Sequence, residues 1–222
     1  MSSPLSRCRR PRATKRASDF RAPDALDVEI LDTQMEMSSA LMYCVEMREH
    51  QLQTISHCAR VAMTARWLAQ QAGVRGDQLH DVQFAARMHE IGMMAIPSKL
   101  VKKKGPLTPE ELARIRSQAR IGAEIARTMQ RPLAALMIEH QYTDYETLER
   151  KFSRDSLEFL LIGILRVADV FDAMMRPRPY QSPLPENRRL EIIRDGAGTK
   201  FHPAAVEAPG RGRAWGKSGA VK

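Results

Sequence analysis

Ala85-Ala86-Arg87-Met88-His89-Glu90-Ile91-Gly92-Met93-Met94-Ala95-Ile96-Pro97 is the stretch on which the reading of this chain turns. It has the pattern of the last turns of an amphipathic helix, with His89 and Glu90 adjacent at its end. Gly92 then supplies a permissive backbone position, and Ile96-Pro97 leads into a loop. An imidazole beside a carboxylate can converge on one divalent cation, because imidazole suits first-row metals and the carboxylate adds charge. Taken alone, such a dipeptide fits a solvated helix end better than a metal site. Its reading depends on the rest of the chain.

Working outward, helical periodicity continues on both sides. Upstream, a helix from about Asp77 carries Leu79, Val82, Ala85, Ala86 and Met88 into this stretch. Before it, a helix over Leu52 to Ala72 stops at Gly73, with His57, Val61, Thr64 and Leu68 on one face. Cys58, Ala62, Ala65 and Ala69 lie beside them, and such a small-residue stripe permits close packing. An earlier helix is expected from about Ala25 to Arg48, capped by Asp24 or Asp27, with Leu26, Ile30, Met37, Leu41 and Val45 apolar.

Downstream, 99–106 reads as a basic loop. Thr108, Pro109 and Glu111 then start a helix expected to reach about Met129. A shorter helix follows Pro132 towards His140, and 141–154 is polar and read as loop. From Ser156 through Leu160, Ile164 and Val167 to Met175 another helix carries Asp169 and Asp172. Prolines 177, 179, 183 and 185 break the chain before a last helix near Glu186 to Arg194. No run alternates with period two for long enough to demand a strand, so the body is all-α.

The 222 residues fit one domain with tails: a basic tail over 1–24, a helical domain over 25–208, and a Gly-rich basic tail over 209–222. The 13 methionines point to a core that is deformable in places. The net charge of +9 belongs to the ends: six cations precede Asp19, and Arg211, Arg213, Lys217 and Lys222 follow the last acid, so the body is nearly neutral. Such tails touch polyanions without sequence selection, which makes nucleic-acid contact only weakly suggested. Cys8, Cys44 and Cys58 show no CxxC spacing and fit a reducing cytoplasm. No apolar run reaches membrane-span length, and no secretory h-region is present; the Arg/Ser-rich start would also suit a transit peptide.

Four blocks, in order, resemble the HD-GYP domain, a branch of the HD metal-dependent phosphohydrolases that typically cleaves cyclic di-GMP. His57-Cys58-Ala59-Arg60-Val61 resembles its H-x-x-R-V block, and His89-Glu90-Ile91-Gly92-Met93 stands where the family has H-D-I-G-K. Lys103-Lys104-Gly105-Pro106-Leu107-Thr108-Pro109-Glu110-Glu111 is similar to K-P-G-x-L-T-x-E-E, and the 168–180 stretch to A-D-V-F-D-A-x-x-x-x-R-P-Y. The resemblance covers roughly Ala40 to Val206 and implies a single HD-type helical bundle.

There are departures. Glu90 replaces the family aspartate, Met93 the lysine, and Gln118 the histidine of H-P-x-x-G; Glu139-His140-Gln141 stands for H-H-E. Asp144-Tyr145 begins the D-G-x-G-Y-P loop, and nothing after it matches.

The resemblance implies His57, His89, Glu90 and Asp169 as ligands of one divalent metal (iron, manganese or zinc) and Glu90, Glu139 or His140 as proton-transfer groups. His57 on its small-residue stripe also fits a core histidine, and Asp172 fits a structural role better than ligation. Lys103 is a candidate phosphate contact or a solvated loop residue. Arg178 is a candidate substrate contact or, with Tyr180, a brace for the turn. Two functions follow: a divergent metal-dependent phosphodiesterase, weak or inactive, acting on cyclic di-GMP or a related phosphate ester, or an inactive regulatory module that meets a signalling protein.

Overall fold

The computed structural model describes Met37, Leu41, and residues 54–175 and 183–209. All of them fall in the second of the chain's two compact units, Met35–Lys222. The helix expected over 25–48 therefore lies outside the described residues except at Met37 and Leu41, which are helical. Both tails, Arg178 and Tyr180 also lie outside them.

The described helices are α1 (Thr54–Gln71), α2 (Asp77–Met88), α3 (Ser98–Val101), α4 (Pro109–Arg116), α5 (Gln118–Thr128), α6 (Pro132–Glu139), α7 (Tyr145–Leu148), α8 (Leu157–Ala173), α9 (Glu186–Asp195) and α10 (Pro203–Glu207). A 3-10 turn, Ile91–Ala95, follows α2. Among the described residues the only extended pairing is an isolated bridge between Ala197 and Phe201, so the fold is all-α as expected. No described helix is long and apolar enough to cross a membrane.

The central element is α8. Its sequence is apolar on most of its faces, which suits a helix buried along most of its surface. Ser156 caps it by accepting from the Phe159 N–H, and α1, α2, α6, α9 and α10 pack against it. Phe159, Leu161, Ile162, Ile164 and Leu165 are fully buried; each contributes roughly 1.5–3 kcal/mol relative to exposure. The polar Asp169 and Asp172 are carried to the middle of the molecule on this helix.

Against it, α1 and α2 approach closely because the stripe between them is small: Ala62, Ala65 and Ala69 on α1, Ala85 and Ala86 on α2, all buried. The stripe read from the sequence is thus core. At the other face, Gly163 admits α10: a Cβ there would stand 2.4 Å from that of His202.

Three local expectations are corrected. The helix expected to run unbroken from Pro109 to Met129 is two, interrupted at Ser117, whose hydroxyl donates to the Arg114 carbonyl and competes with the helical ladder. Short helical turns, α3 and α7, occur inside the two segments read as loop, where composition is polar but local i to i−4 bonds still close. Finally, α10 carries no signal beyond Pro203 at its first position. The Thr108 capping box, by contrast, forms as read: its hydroxyl accepts from Glu111 N–H while Glu111 accepts from Thr108 N–H.

Candidate metal centre

His57, His89 and Asp169 come from α1, the residue after α2, and α8. Their ligand atoms lie within 4.8 Å of one another. The helix packing brings them together. The stripe of small residues lets α1 and α2 sit side by side, and both rest on α8.

Each imidazole is oriented by an acceptor on its far side. His57 Nδ1 lies 2.6 Å from Asp172 Oδ2, and His89 Nδ1 lies 2.8 Å from the Ala86 carbonyl. With Nδ1–H donated outward, both Nε2 lone pairs are bare and turn towards Asp169. His57 Nε2 stands 3.3 Å from Asp169 Oδ1, and His89 Nε2 3.7 Å. The rings are 5.2 Å apart at 65°. Outer-sphere acceptors on ligating histidines do this in metal sites generally: they choose the tautomer and raise the basicity of the inner nitrogen.

His89 Nε2 is buried and makes no hydrogen bond. An orphaned buried acceptor costs about 1–3 kcal/mol unless something fills it. Three ligand atoms of mixed nitrogen and oxygen type, two from neutral rings and one from a carboxylate, fit a divalent first-row ion. At 16% exposure against 3% and 1% for the histidines, Asp169 marks the side from which solvent reaches the group.

The electrostatics point the same way. Burial pushes the Glu90 carboxyl up, and Asp169 and Asp172 push it further, against the pull of His89. This pocket of carboxylates is short of positive charge. Met93 occupies the place where the resemblance would put a lysine.

Asp172 is structural, as its position suggested. Arg60 donates to it through Nε and Nη2 at 2.7 and 3.0 Å while His57 occupies the same carboxylate. Arg60 sits one turn after His57, which is how both reach one acceptor. The HxxR spacing held this signal, although its role was legible only with α8 in place.

Glu90 is half-buried and belongs to a second possible ligand group with Cys58 and His89. Cys58 lies 3.9 Å from His89 Nδ1, the nitrogen already committed to Ala86, and burial holds its thiol up. Glu139 and His140 join neither group among the described residues. Glu139 is ion-paired with Arg127, and the half-buried His140 lies edge-on to Phe152 at 5.5 Å. Lys103 is paired with Glu111 at 2.5 Å, which ties its amine to the start of α4.

Three residues gather at the His89 carbonyl: Gln118 and Gln141, which the sequence marked only as departures from the resemblance, and Tyr142, which it did not mark. Gln118 and Gln141, both fully buried, each donate from Nε2 to the His89 carbonyl, at 3.1 and 2.9 Å. Gln118 Nε2 also donates to the Tyr142 hydroxyl at 2.8 Å. Gly92 explains the closeness: a Cβ there would stand 2.0 Å from the Gln118 carbonyl oxygen. Nothing in the local pattern of Tyr142 marked it.

A family model described as HD domain matches residues 48–205. The chain belongs to the HD domain family. Named relatives bear out the narrower resemblance. A cyclic di-GMP phosphodiesterase of Thermotoga maritima is 32% identical over 161 residues, covering 71% of this chain and 44% of the relative. The cyclic di-GMP phosphodiesterase response regulator RpfG of Xanthomonas campestris pv. campestris is 28% identical, over 84% of this chain and 50% of its own. The 3'3'-cGAMP-specific phosphodiesterase 2 of Vibrio cholerae is 28% identical, over 82% and 35%. This HD chain thus spans half or less of the length of these relatives.

Proposed function

We propose that this HD domain is a divergent metal-dependent phosphodiesterase that binds one divalent cation (iron, manganese or zinc) through His57, His89 and Asp169, with Glu90 as a fourth ligand or proton-transfer group. The observation that carries the reading is the bare, buried Nε2 of His89, aimed with His57 Nε2 at one carboxylate. When bound, such a cation supplies Lewis acidity towards a phosphoryl oxygen and an activated water. The chain's own contribution is to hold two rings in one tautomer through Asp172 and Ala86 and to keep the group nearly dry. A cyclic dinucleotide is the substrate class the relatives' names support. Glu139 and His140 remain proton-transfer candidates from the sequence, and Lys103 and Arg178 phosphate-contact candidates. The buried free thiol of Cys58 fits a cytoplasmic setting.

Turnover should be slow. Gln118 presents an amide where the resemblance implies an imidazole, Met93 removes a cation, and the G-Y-P loop is missing. The test is elemental analysis of protein purified without chelators, followed by hydrolysis of cyclic di-GMP and 3'3'-cGAMP with manganese or iron. Bound metal near one ion per chain and product formation slower than about 1 per second are expected. No bound metal under these conditions would sink the proposal.

A second reading, an inactive module that signals through protein contacts, draws on one observation. Two buried amides clamp the His89 carbonyl where further ligands would stand. Metal retained at full occupancy with no hydrolysis of either dinucleotide would favour it.

A further inference from the structure

Tyr142 stands two hydrogen bonds from the backbone of a metal-site histidine. Gln118 Nε2 spans the gap, 3.1 Å from the His89 carbonyl and 2.8 Å from the Tyr142 oxygen. The phenol oxygen is therefore the acceptor in that bond, and its own hydrogen is left over. Among the described residues nothing takes it. Tyr142 is not buried as Gln118 is; it is half-buried. On its outer side the Arg116 guanidinium lies over the ring, 6.0 Å from its centre, exposed and without an ion-pair partner among the described residues.

Among the described residues the phenol hydrogen has no acceptor and the guanidinium over the same ring no ion-pair partner, and His89, Glu90 and Asp169 of the metal group lie near enough to act on the phenol electrostatically. Glu90 and Asp169 both act to keep the phenol neutral, and with burial as the main cause they raise its pKa to about 12, so it donates at neutral pH. A neutral O–H near a cation site suits an anionic oxygen that the cation draws in. A non-bridging phosphoryl oxygen is such an acceptor. Met93 makes the need plain, since the basic residue that the resemblance implies on the 3-10 turn is absent. Here the donors come from a different place, Arg116 at the end of α4 and Tyr142 after α6.

We infer that Tyr142, held by Gln118 and flanked by Arg116, is a substrate-binding residue that donates a hydrogen bond to a phosphoryl oxygen of an anion seated at the His57–His89–Asp169 group. The inference deepens the proposed function and rests on it for the identity of the phosphate ester. The bond from Gln118 fixes the phenol oxygen, so the hydroxyl rotor is oriented before the anion arrives. Hydrogen bonds to charged groups are the stronger kind, which gives the tyrosine a measurable share of the affinity.

The test is orthophosphate binding to the full chain loaded with manganese, followed by calorimetry. Tyr142→Phe keeps the ring and removes only the hydroxyl; it should weaken phosphate binding about tenfold or more with manganese content unchanged. Arg116→Ala, at an exposed position, should weaken it by roughly twofold to fivefold and serves as a second variant. Bis(p-nitrophenyl) phosphate hydrolysis is measured in parallel. If the wild type hydrolyses no phosphodiester while phosphate binding still depends on Tyr142, the phosphodiesterase reading fails and the binding site stands. Equal phosphate affinity in wild type and Tyr142→Phe overturns the inference, whatever the hydrolysis. So does a wild type that binds no phosphate, or a Tyr142→Phe protein that loses its manganese, since the hydroxyl would then act through the metal group.

Discussion

His89 joins two regions of opposite character. Its imidazole faces His57 and Asp169, where outer acceptors leave two nitrogens bare. Its carbonyl faces Gln118 and Gln141, where amide donors are spent on backbone and both amide oxygens are buried without a partner. The first region is arranged for a cation and the second for packing. The resemblance would lead one to expect ligands in both, with an imidazole at position 118. The helices that meet at His57, His89 and Asp169 bring three ligand-type side chains together, while Gln118, just after Ser117, puts an amide bonded to backbone where the resemblance implies an imidazole.

The largest effect that would break this comparison is His89→Ala. Removing the only side chain shared by the two possible ligand groups should lower metal affinity at least about a hundredfold and abolish any hydrolysis. Elemental analysis of the purified variant checks it. Retention of one ion per chain would mean the cation lies elsewhere.

Asp172→Asn comes next. It keeps the shape but leaves His57 free to turn and Arg60 without its two-pronged partner. Metal affinity should fall roughly 10- to 100-fold, read by titration with manganese. A change in melting temperature without a change in affinity would limit Asp172 to stability.

Gly92→Ala tests the seam between the regions. The added methyl must displace the Gln118 backbone, which stands 2.0 Å from the ideal Cβ position. Overpacking of this kind costs typically about 1–3 kcal/mol, so denaturant unfolding should show a clear loss. An unchanged midpoint would mean that the 3-10 turn and α5 separate easily.

The smallest effect belongs to Glu139→Gln. Its carboxylate pairs with Arg127 on a partly exposed surface, and such pairs are worth no more than about 1 kcal/mol. Stability and metal content should barely move. Hydrolysis that drops more than about tenfold, beyond what a lost surface pair explains, would restore Glu139 to the proton-transfer role that its place in the Glu139-His140-Gln141 block suggested.

Much of the fold was legible because its signals are local. The Thr108 capping box, the helix stop at Gly73 and the helix start near Ser156 depend on residues within a turn or so of each other, and all form. Ser117 shows the limit: a hydroxyl bond to a nearby carbonyl interrupts a helix that periodicity alone would continue. At the site, His57, His89 and Asp169 were legible as residues in ordered blocks. The orientation of their rings was not, because it depends on which acceptor each Nδ1 meets.

The sequence by itself determined an all-α domain, its small-residue stripe and the polar residues placed inside apolar helices. Each follows from side-chain volume and spacing along one segment. Only the tertiary structure decided that Asp172 serves His57 and Arg60 together, and that Gln118 and Gln141 share one carbonyl. It also decided that Tyr142 ends beside them with a hydrogen to donate. Those partners are between 24 and 115 residues apart in the chain. Hydrogen bonds between such distant groups are set by how helices cross, and no local pattern in the chain encodes that crossing.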